Sequence, residues 1–324
     1  MESYSAQPLQ LNEIAEVIAL DVEAIPRVNI ERRFQEPEDI LKICSALITF
    51  SGEEVKDTVT IQLAHFSVKE YLVSDRIRHG KAKAYSCQET EANFLLANDC
   101  IAYLLQFDEL DSVTYSTYSE FPLSSYAALY WFQHVRIVEK NSSAATNLLT
   151  IEFLLTRCNA LLNRIRLHDP DGDWAPMFRE DMESVKNVLP PLYYASLLGL
   201  PQSVRMLLDK GEDINARAGY YGNALQAASS RNHGEIVQIL LDNGVDVNTE
   251  SGFYGNALQA ASCGGHDRLV QMLLDNGADV NANGGYFRNA LLAASRWGHD
   301  RVVETLLRKG ACVSAQTGEY DNAL

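Results

Sequence analysis

Positive charge is scarce throughout this 324-residue chain. It has 27 lysines and arginines against 43 aspartates and glutamates, which gives a formal net charge of −16. Residues 1–85 carry 10 basic against 14 acidic side chains, residues 86–186 carry 7 against 15, and the remainder carries 10 against 14. Because nucleic acids and anionic membranes attract basic surfaces, this composition argues against either as the main ligand. We therefore predict no nucleic acid partner and no membrane partner.

Long apolar segments and targeting signals are also missing. No run of 18 or more apolar residues occurs, and the amino terminus lacks the basic region and apolar core of a secretory signal. The six cysteines include no CxxC pair and form no even framework in a short chain. This usage indicates reduced thiols in a reducing compartment, so we predict a soluble cytoplasmic protein.

Motifs that would carry catalysis are absent from the sequence as well. No GxxxxGK[ST] loop is present to hold phosphates, and no GxSxG elbow is present to expose a serine nucleophile. The segment HDPDGDW at 168–174 is similar to the start of a calcium-binding loop, but it lacks glycine where such a loop turns sharply. We interpret it as a solvated loop. The sequence therefore predicts a protein that is not an enzyme and has no cofactor.

A strict internal repeat is present in the carboxyl-terminal half. Gly222-Asn-Ala-Leu-Gln-Ala-Ala228 recurs 33 residues later as Gly255-Asn-Ala-Leu-Gln-Ala-Ala261, and then as Arg288-Asn-Ala-Leu-Leu-Ala-Ala294. Within one repeat, an alanine-rich helix is followed by a turn and by a second helix with an apolar stripe at helical spacing. One such pair cannot bury its own apolar face, but stacked neighbours can. The pattern therefore predicts a solenoid.

These residues resemble the ankyrin repeat. Its helix-opening tetrapeptide is similar to Asn256-Ala-Leu-Gln259, its turn to Gly265-His266, and its tail to Gly277-Ala-Asp-Val-Asn281. The resemblance implies about four repeats and the start of a fifth over residues 187–324, with hairpins that project beside a concave binding face. The last repeat stops at Leu324, where a first helix should begin, without a polar capping repeat. We therefore expect a fragment or a truncated gene product.

Aromatic residues recur at the same step in the predicted hairpins. Two adjacent positions form two rows, and aromatic rings beside a groove are typical of protein recognition. Positions at the ends of the first helices keep the register but change identity, as expected of a surface that is specific for one partner. The predicted partner-binding residues are Tyr220, Tyr221, Phe253, Tyr254, Tyr286, Phe287, Tyr320, Arg231, Arg296 and Trp297.

Simpler interpretations apply to these ladders of residues. Either aromatic row can pack between hairpins and be purely structural, but we expect at least one to be exposed, because adjacent residues of a strand face opposite ways. A further ladder, His233, His266 and His299, has no acidic or cysteine neighbour that keeps its register, so it predicts no metal site. The ankyrin resemblance implies instead that these histidines hydrogen-bond the backbone of the adjacent repeat.

The first 80 residues have the element order of a small winged-helix domain. Helical patterns at 9–20 and after Pro37 precede a β-hairpin at 46–65 and a further helix. The helix after Pro37 is hardly basic, so DNA reading is not expected. A winged-helix domain is therefore predicted for residues 1–80.

A longer segment connects this domain to the repeats. Helical periodicity at 89–107 and 145–165 predicts a helical linker over residues 81–186. The prediction for the whole chain is a mainly α protein, with a winged-helix domain at 1–80, the linker, and ankyrin repeats at 187–324.

The stretch Leu63-Ala-His-Phe-Ser-Val-Lys-Glu-Tyr-Leu72 resembles the end of the winged-helix domain that follows the nucleotide-binding module in NACHT-type signalling NTPases, including fungal NOD-like receptors. The resemblance implies that His65 contacts a bound nucleotide in an intact parent protein. The NTPase module itself is missing from this chain. Two functions are therefore open: a non-catalytic protein-interaction scaffold, or the regulatory part of a nucleotide-switched signalling protein.

Overall fold

A computed structural model shows a mainly helical chain that divides into two compact units. The first contains the described residues up to Asp169, and the second contains residues 170–171 and 190–313. The structure describes residues 10–17, 19–24, 27–34, 36, 39, 48–51, 60–63, 72, 74–80, 86, 88–108, 113–114, 117–141, 148–155, 159–171 and 190–313.

The first unit is built from helices and one β-hairpin. In chain order its described elements are α1 (Leu11–Val17), a 3-10 turn (Ile30–Arg32), β1 (Ile48–Ser51), β2 (Thr60–Leu63), α2 (Asp75–Arg78), α3 (Glu89–Leu104), α4 (Thr117–Glu120), α5 (Leu123–Asn141), α6 (Leu148–Leu155) and α7 (Asn159–Leu167). The periodicity at 89–107 and 145–165 correctly predicts helices, which are α3 and the pair α6 and α7. Helix α5 is not predicted by the sequence analysis.

The core of the first unit lies where α3 and α5 pack together. Ile101 on α3 and Trp131 on α5 are completely buried. The Trp131 ring meets the Phe153 ring edge-on, with centroids 5.2 Å apart. Such edge-to-face pairs stabilise a fold by about 0.5–1.5 kcal/mol beyond the area that they bury. This aromatic contact therefore packs α6 against α5.

The buried Glu16 carboxylate of α1 is held by Arg33 and by Tyr103 of α3. The Glu16 carboxylate lies 2.7 Å and 2.9 Å from two nitrogens of the Arg33 guanidinium. The Tyr103 hydroxyl donates to the same carboxylate at 2.7 Å. A buried charge needs such partners, since removing one partner of a buried pair costs about 3–5 kcal/mol. These side chains therefore fix α1 against the helical core.

The hairpin predicted in this unit is present. Strands β1 and β2 pair antiparallel, with Ile48 opposite Leu63. The helix predicted after Pro37 and the junction that includes His65 lie outside the described residues. The winged-helix assignment therefore stays a prediction. The boundary that we predict near residue 80 falls inside the first compact unit, in which α1 packs against α5.

The first unit also buries a histidine in a hydrogen-bond network. His134 Nδ1 lies 2.7 Å from Asn93 Oδ1, and Asn93 Nδ2 donates to the Glu89 carbonyl at 2.7 Å. Asn93 Oδ1 is therefore the acceptor, so Nδ1 carries the imidazole proton and Nε2 accepts from the Tyr126 hydroxyl at 3.0 Å. Burial lowers the pKa of His134 to about 4, because a charged imidazolium would lose its hydration.

We expect His134 to make the first unit sensitive to acid. Its pKa is about 4 in the fold and about 6.5 in an unfolded chain, so its contribution is present above the unfolded value and is lost as the pH falls towards the folded one. Burial raises the pKa of Asp99 to about 6, which acts in the opposite direction. A His134→Gln variant isolates the histidine.

The measurement is the free energy of urea unfolding at about pH 7 and about pH 4.5. Wild type should lose more stability between these conditions than His134→Gln, because only wild type must bury a titrating imidazole. Equal losses in the two proteins would contradict the assigned network.

The second unit is a stack of four helix pairs within the described range 190–313. The pairs are α8 (Pro191–Leu198) with α9 (Pro201–Asp209), α10 (Ala224–Ser230) with α11 (Gly234–Asp242), α12 (Ala257–Cys263) with α13 (Asp267–Asp275), and α14 (Ala290–Arg296) with α15 (Asp300–Arg308). First helices pack on first helices, and second helices on second helices. The predicted mainly α solenoid is confirmed. The start of a fifth repeat at 321–324 lies outside the described residues.

Hairpins connect successive helix pairs. The first contains β3 (Arg217–Ala218) and β4 (Gly222–Asn223), and the next two are closed by single bridges between Ser251 and Gly255 and between Gly284 and Arg288. After each hairpin an asparagine caps the first helix: Asn223, Asn256 and Asn289 accept from the amide three residues later at 2.8–2.9 Å. Replacing such a cap by alanine costs roughly 1 kcal/mol, so asparagine sets where each helix begins.

A glutamine in the first helix of a repeat holds the hairpin that follows in the next repeat. Gln226 and Gln259 each direct a side-chain amide at three carbonyls of the following hairpin. The carbonyls are 2.7–3.3 Å away and belong to Thr249, Ser251 and Gly255 and, one repeat later, to Ala282, Gly284 and Arg288. Because three carbonyls of one hairpin converge on a single side-chain amide, the glutamine stabilises the conformation of the hairpin as well as its position.

The hairpins also touch one another through their backbones. The Phe253 amide donates to the Tyr220 carbonyl at 2.9 Å, and the Tyr286 amide donates to the Phe253 carbonyl at 2.8 Å. Gly285, the residue before Tyr286, has a φ of 61°. A Cβ there would lie 2.2 Å from the Tyr254 backbone. Glycine is therefore required for both its conformation and its lack of a side chain.

We expect Gly285→Ala to destabilise the second unit by about 2–4 kcal/mol, because the methyl group meets backbone and φ is positive. Gly284→Ala is the matched control, since a Cβ there has its nearest neighbour at 3.9 Å. It should stay within about 1 kcal/mol of wild type. Urea unfolding combined with hydrogen exchange of the hairpin amides measures both variants. Equal destabilisation would show that the close backbone contact is not needed.

Candidate protein-binding surface

Six aromatic rings at the hairpin tips form one continuous stack. The outer row is Tyr220, Phe253 and Tyr286, and the inner row is Tyr221, Tyr254 and Phe287. Outer-row neighbours stack nearly parallel, with centroids 4.9 Å apart at both steps. Inner-row neighbours are 6.0 and 6.2 Å apart. Within each hairpin the two rings meet edge-on at 5.0–5.3 Å. Each row therefore supports the other.

This arrangement corrects the expectation that the two rows face opposite sides of a strand. Both residues of each pair lie in the turn at the hairpin tip, so strand alternation does not apply to them and their rings touch. The rows still differ in exposure: Tyr220 and Tyr286 are 45% and 58% exposed, whereas Tyr221 is 5% exposed. The outer row is therefore the accessible one.

The inner row packs against the ends of the first helices. The guanidinium of Arg231, just after α10, lies 5.6 Å from the centroid of the Tyr221 ring. Cys263, at the end of α12, lies near the side chains of Tyr254 and Trp297. Burial raises the pKa of the Cys263 thiol and of the Tyr254 hydroxyl, so both stay uncharged at neutral pH. The inner row thus forms a neutral floor between the hairpins and the helix ends.

The last described repeat presents the most accessible candidates. Trp297 is 58% exposed at the end of α14, beside the exposed Arg296. With Tyr286, this repeat has two large exposed rings. Large exposed rings are typical of contact surfaces. Two predicted residues, Tyr320 of the surface and His65 of the nucleotide site, lie outside the described residues.

The histidine ladder has the geometry of a structural feature, as predicted. The Nε2 atoms lie 2.9–3.1 Å from carbonyls of the preceding repeat. The pairs are His233 with Leu197, His266 with Ser230, and His299 with Cys263. These carbonyls stand near the ends of first helices, where no further helical amide follows to bind them. The histidines therefore complete hydrogen bonds between repeats.

Two other kinds of feature are missing from the part of the chain that the structure describes. None of its groups of histidine, cysteine, aspartate and glutamate side chains is arranged to hold a metal ion. None of its helices combines the length and the apolar character needed to cross a membrane.

A carboxylate outside the repeats completes the hairpin stack, which the sequence analysis does not anticipate. Asp171 Oδ2 accepts from the Tyr220 amide at 3.1 Å. In the two later hairpins, the amide at the same position donates to the backbone carbonyl of the preceding hairpin tip. Asp171 Oδ1 accepts from the Tyr193 hydroxyl, which itself accepts from the Tyr221 amide at 3.2 Å. The segment interpreted as a solvated loop therefore caps the first hairpin at this residue. No motif signals this role, because 49 residues separate Asp171 from Tyr220.

The helix pairs, hairpins and capping asparagines define a class of repeat protein. Residues 144–251 and 224–317 match the family model described as Ankyrin repeats (3 copies). Together the matches span more than half of the sequence, so the chain belongs to the ankyrin-repeat family. The first match begins at residue 144, before the start that we predict at 187, and includes α6 and α7.

A more specific similarity joins the chain to a fungal protein. The azaphilone pigments biosynthesis cluster protein L of Monascus ruber is 40% identical to it over 251 residues, which cover 72% of this chain and 52% of that protein. The chain thus spans about half the length of this relative. The relative's name states no enzymatic activity, and ankyrin repeats indicate an interaction module.

We expect Asp171→Ala to loosen the first hairpin, because the Tyr220 amide and the Tyr193 hydroxyl both lose their acceptor. The Tyr220 amide should exchange with solvent roughly tenfold faster, since a hydrogen bond to a charged group contributes about 1.5–3 kcal/mol. The Tyr286 amide should keep its rate. Asp213→Ala is the control, because that carboxylate accepts within its own turn from Asn215. Hydrogen exchange resolved by residue tests the cap, and an unchanged Tyr220 rate would exclude it.

Proposed function

We propose that the second unit is a non-catalytic interaction module that binds a protein segment along the outer row and the exposed ends of the first helices. The observation that carries the proposal is the exposure of Tyr286 and Trp297 in one repeat, at 58% each. Aromatic residues are frequent hot spots of binding, because they contribute a large contact area with few rotatable bonds. Membership of the ankyrin-repeat family supports the same role.

The surface is also rigid before a partner arrives. Tyr286 is held by stacking on Phe253 and by its backbone bond to the same residue. Side chains that are already ordered lose little entropy on binding, so more of the contact energy contributes to affinity.

The chemistry of the floor supports binding over catalysis. Cys263 and Tyr254 belong to this floor, and burial raises the pKa of both groups, which favours their neutral forms. A catalytic thiol needs the opposite environment, one that stabilises its thiolate. The name of the Monascus relative assigns that protein to a pigment biosynthesis cluster. For this chain we infer an accessory role, as an interaction partner beside a biosynthetic system.

The regulatory part of a nucleotide-switched signalling protein is the other candidate function. It rests on the resemblance of residues 63–72, and its proposed sensor, His65, lies outside the described residues. Neither the family match nor the fungal relative adds support for it. It stays a prediction, as do the cytoplasmic location and the lack of a nucleic acid partner.

We expect the double variant Tyr286→Ala, Trp297→Ala to lose partner binding by about tenfold or more, the effect of removing hot-spot residues. These positions are preferable to the whole outer row, because Phe253 stacks on both sides at 4.9 Å and supports the fold. The measurement is quantitative mass spectrometry of proteins retained by the immobilised full chain from an extract of its source.

The matched control is Leu307→Ala, which removes an exposed apolar side chain from the second helix of the same repeat. It should retain the same proteins as wild type, and thermal unfolding should confirm that both variants are folded. Retention of the same proteins in equal amounts by all three chains would place the binding surface elsewhere.

A further inference from the structure

Acidic side chains in the repeats are almost absent from the hairpins and first helices. The stretches 216–233, 249–266 and 282–299, which hold these elements, contain four arginines and one glutamate. The stretches 201–215, 234–248, 267–281 and 300–313, which hold the second helices and the turns after them, contain eleven acidic and six basic residues. The charged residues of the first set are Arg217, Arg231, Arg288, Arg296 and Glu250. In a chain of net charge −16, the hairpin side of the repeats is locally positive.

Arg288 occupies a backbone position that disfavours it. Its φ is 66°, at the place where the two preceding hairpins have Gly222 and Gly255 with φ of 109° and 97°. A left-handed backbone costs a residue with a Cβ about 1–2 kcal/mol, so glycine would be more stable here. The array imposes this conformation, because the Arg288 carbonyl accepts from Gln259 as the Gly255 carbonyl accepts from Gln226.

Strain of this kind indicates a function for the side chain. The Arg288 side chain is exposed, so it does not compensate for the backbone by filling the core. Arg288 follows the exposed Tyr286 by two residues, and the exposed Arg296 directly precedes Trp297. One repeat therefore presents two guanidinium groups and two aromatic rings. The Arg231 guanidinium lies 5.6 Å from the centroid of the Tyr221 ring and donates to the Pro170 carbonyl at 3.3 Å, so we place Arg231 with the inner row and not with this surface.

We propose that this surface binds an acidic, extended protein segment that carries an aromatic or large aliphatic anchor, an inference that rests on the protein-binding function proposed above. Carboxylates of the segment pair with Arg288 and Arg296, whose planar guanidinium groups match a carboxylate with two hydrogen bonds. The anchor packs on Tyr286 and Trp297. Charge complementarity selects this partner, because a basic segment is repelled at this site.

A nucleic acid fits the surface less well. Its phosphates carry dense negative charge, and the whole chain has a net charge of −16. Repulsion from the whole chain opposes the approach of such a polyanion, whereas a short acidic peptide carries only a few charges. A short acidic protein segment is therefore the partner that agrees with both the local positive charge and the negative charge of the whole chain.

The test begins with a library of short random peptides displayed on phage and selected on the immobilised full chain. We expect the selected peptides to have net negative charge and at least one aromatic or leucine-like side chain. One of them is then labelled with a fluorophore and titrated with the chain. Its affinity should fall as sodium chloride is added, because exposed charge pairs are screened by salt.

Arg288→Gly is the decisive variant, because it introduces the residue that the other two hairpins have at this position. It should unfold at the same temperature as wild type or at a higher one. It should bind the labelled acidic peptide roughly three- to fivefold more weakly, as expected for one exposed charge pair, and addition of Arg296→Gln should bring the loss to roughly tenfold. Arg301→Gln on α15 removes an exposed arginine from the second helix of this repeat and should bind as wild type does.

The remaining outcomes separate this inference from the function on which it rests. Selection of neutral or basic peptides that lose binding in Trp297→Ala would overturn the acidic partner and leave the protein-binding function standing. Selection of no peptide that depends on Trp297 or Arg288 would count against both. Binding of a labelled single-stranded oligonucleotide more tightly than the selected peptide, and its weakening by Arg288→Gly, would assign the surface to nucleic acid and overturn the proposal.

Discussion

The close backbone approach of successive hairpins is the constraint on which the repeat unit depends. Each tip amide donates to the carbonyl of the tip before it at 2.8–2.9 Å, and glycine leaves the space that this contact needs. The resulting step brings outer-row rings to 4.9 Å, within the range of favourable aromatic stacking. Gln226 and Gln259 hold the same hairpins to the helices behind them. The backbone contacts therefore determine the spacing of the rings. Ring stacking adds stability to the array but does not determine that spacing.

A repeating contact of this kind leaves its first member without a preceding neighbour. At the first hairpin, Asp171 supplies the acceptor that a preceding tip would otherwise provide, and the Tyr193 hydroxyl connects it to the Tyr221 amide. A second exception occurs at Arg288. The backbone there is left-handed, as at Gly222 and Gly255, although the residue is not glycine. The first exception satisfies the fold. The second opposes it and puts an exposed arginine two residues after the exposed Tyr286, which is why we connect it with binding.

The strict repeat period allowed much of the second unit to be predicted. The helix pairs follow from local propensity and from a register of 33 residues. The hairpins and the hydrogen bonds of His233, His266 and His299 are implied by the resemblance to the ankyrin repeat. The orientation of the aromatic rows could not be predicted in this way, because Tyr220 and Tyr221 lie in a turn to which strand alternation does not apply. The cap at Asp171 was also beyond reach, since it joins a loop to a hairpin 49 residues away and follows no pattern.

By itself, the sequence determined the repeat period, the positions of the rings and the separation of charge between hairpins and second helices, because these are properties of spacing and composition. Only the tertiary structure decided which member of each aromatic pair is accessible: Tyr220 is 45% exposed and the next residue, Tyr221, is 5% exposed. It also decided that Arg288 has a positive φ. Exposure and backbone conformation depend on contacts with the neighbouring repeat, and those contacts exist only once residues a full repeat apart are stacked.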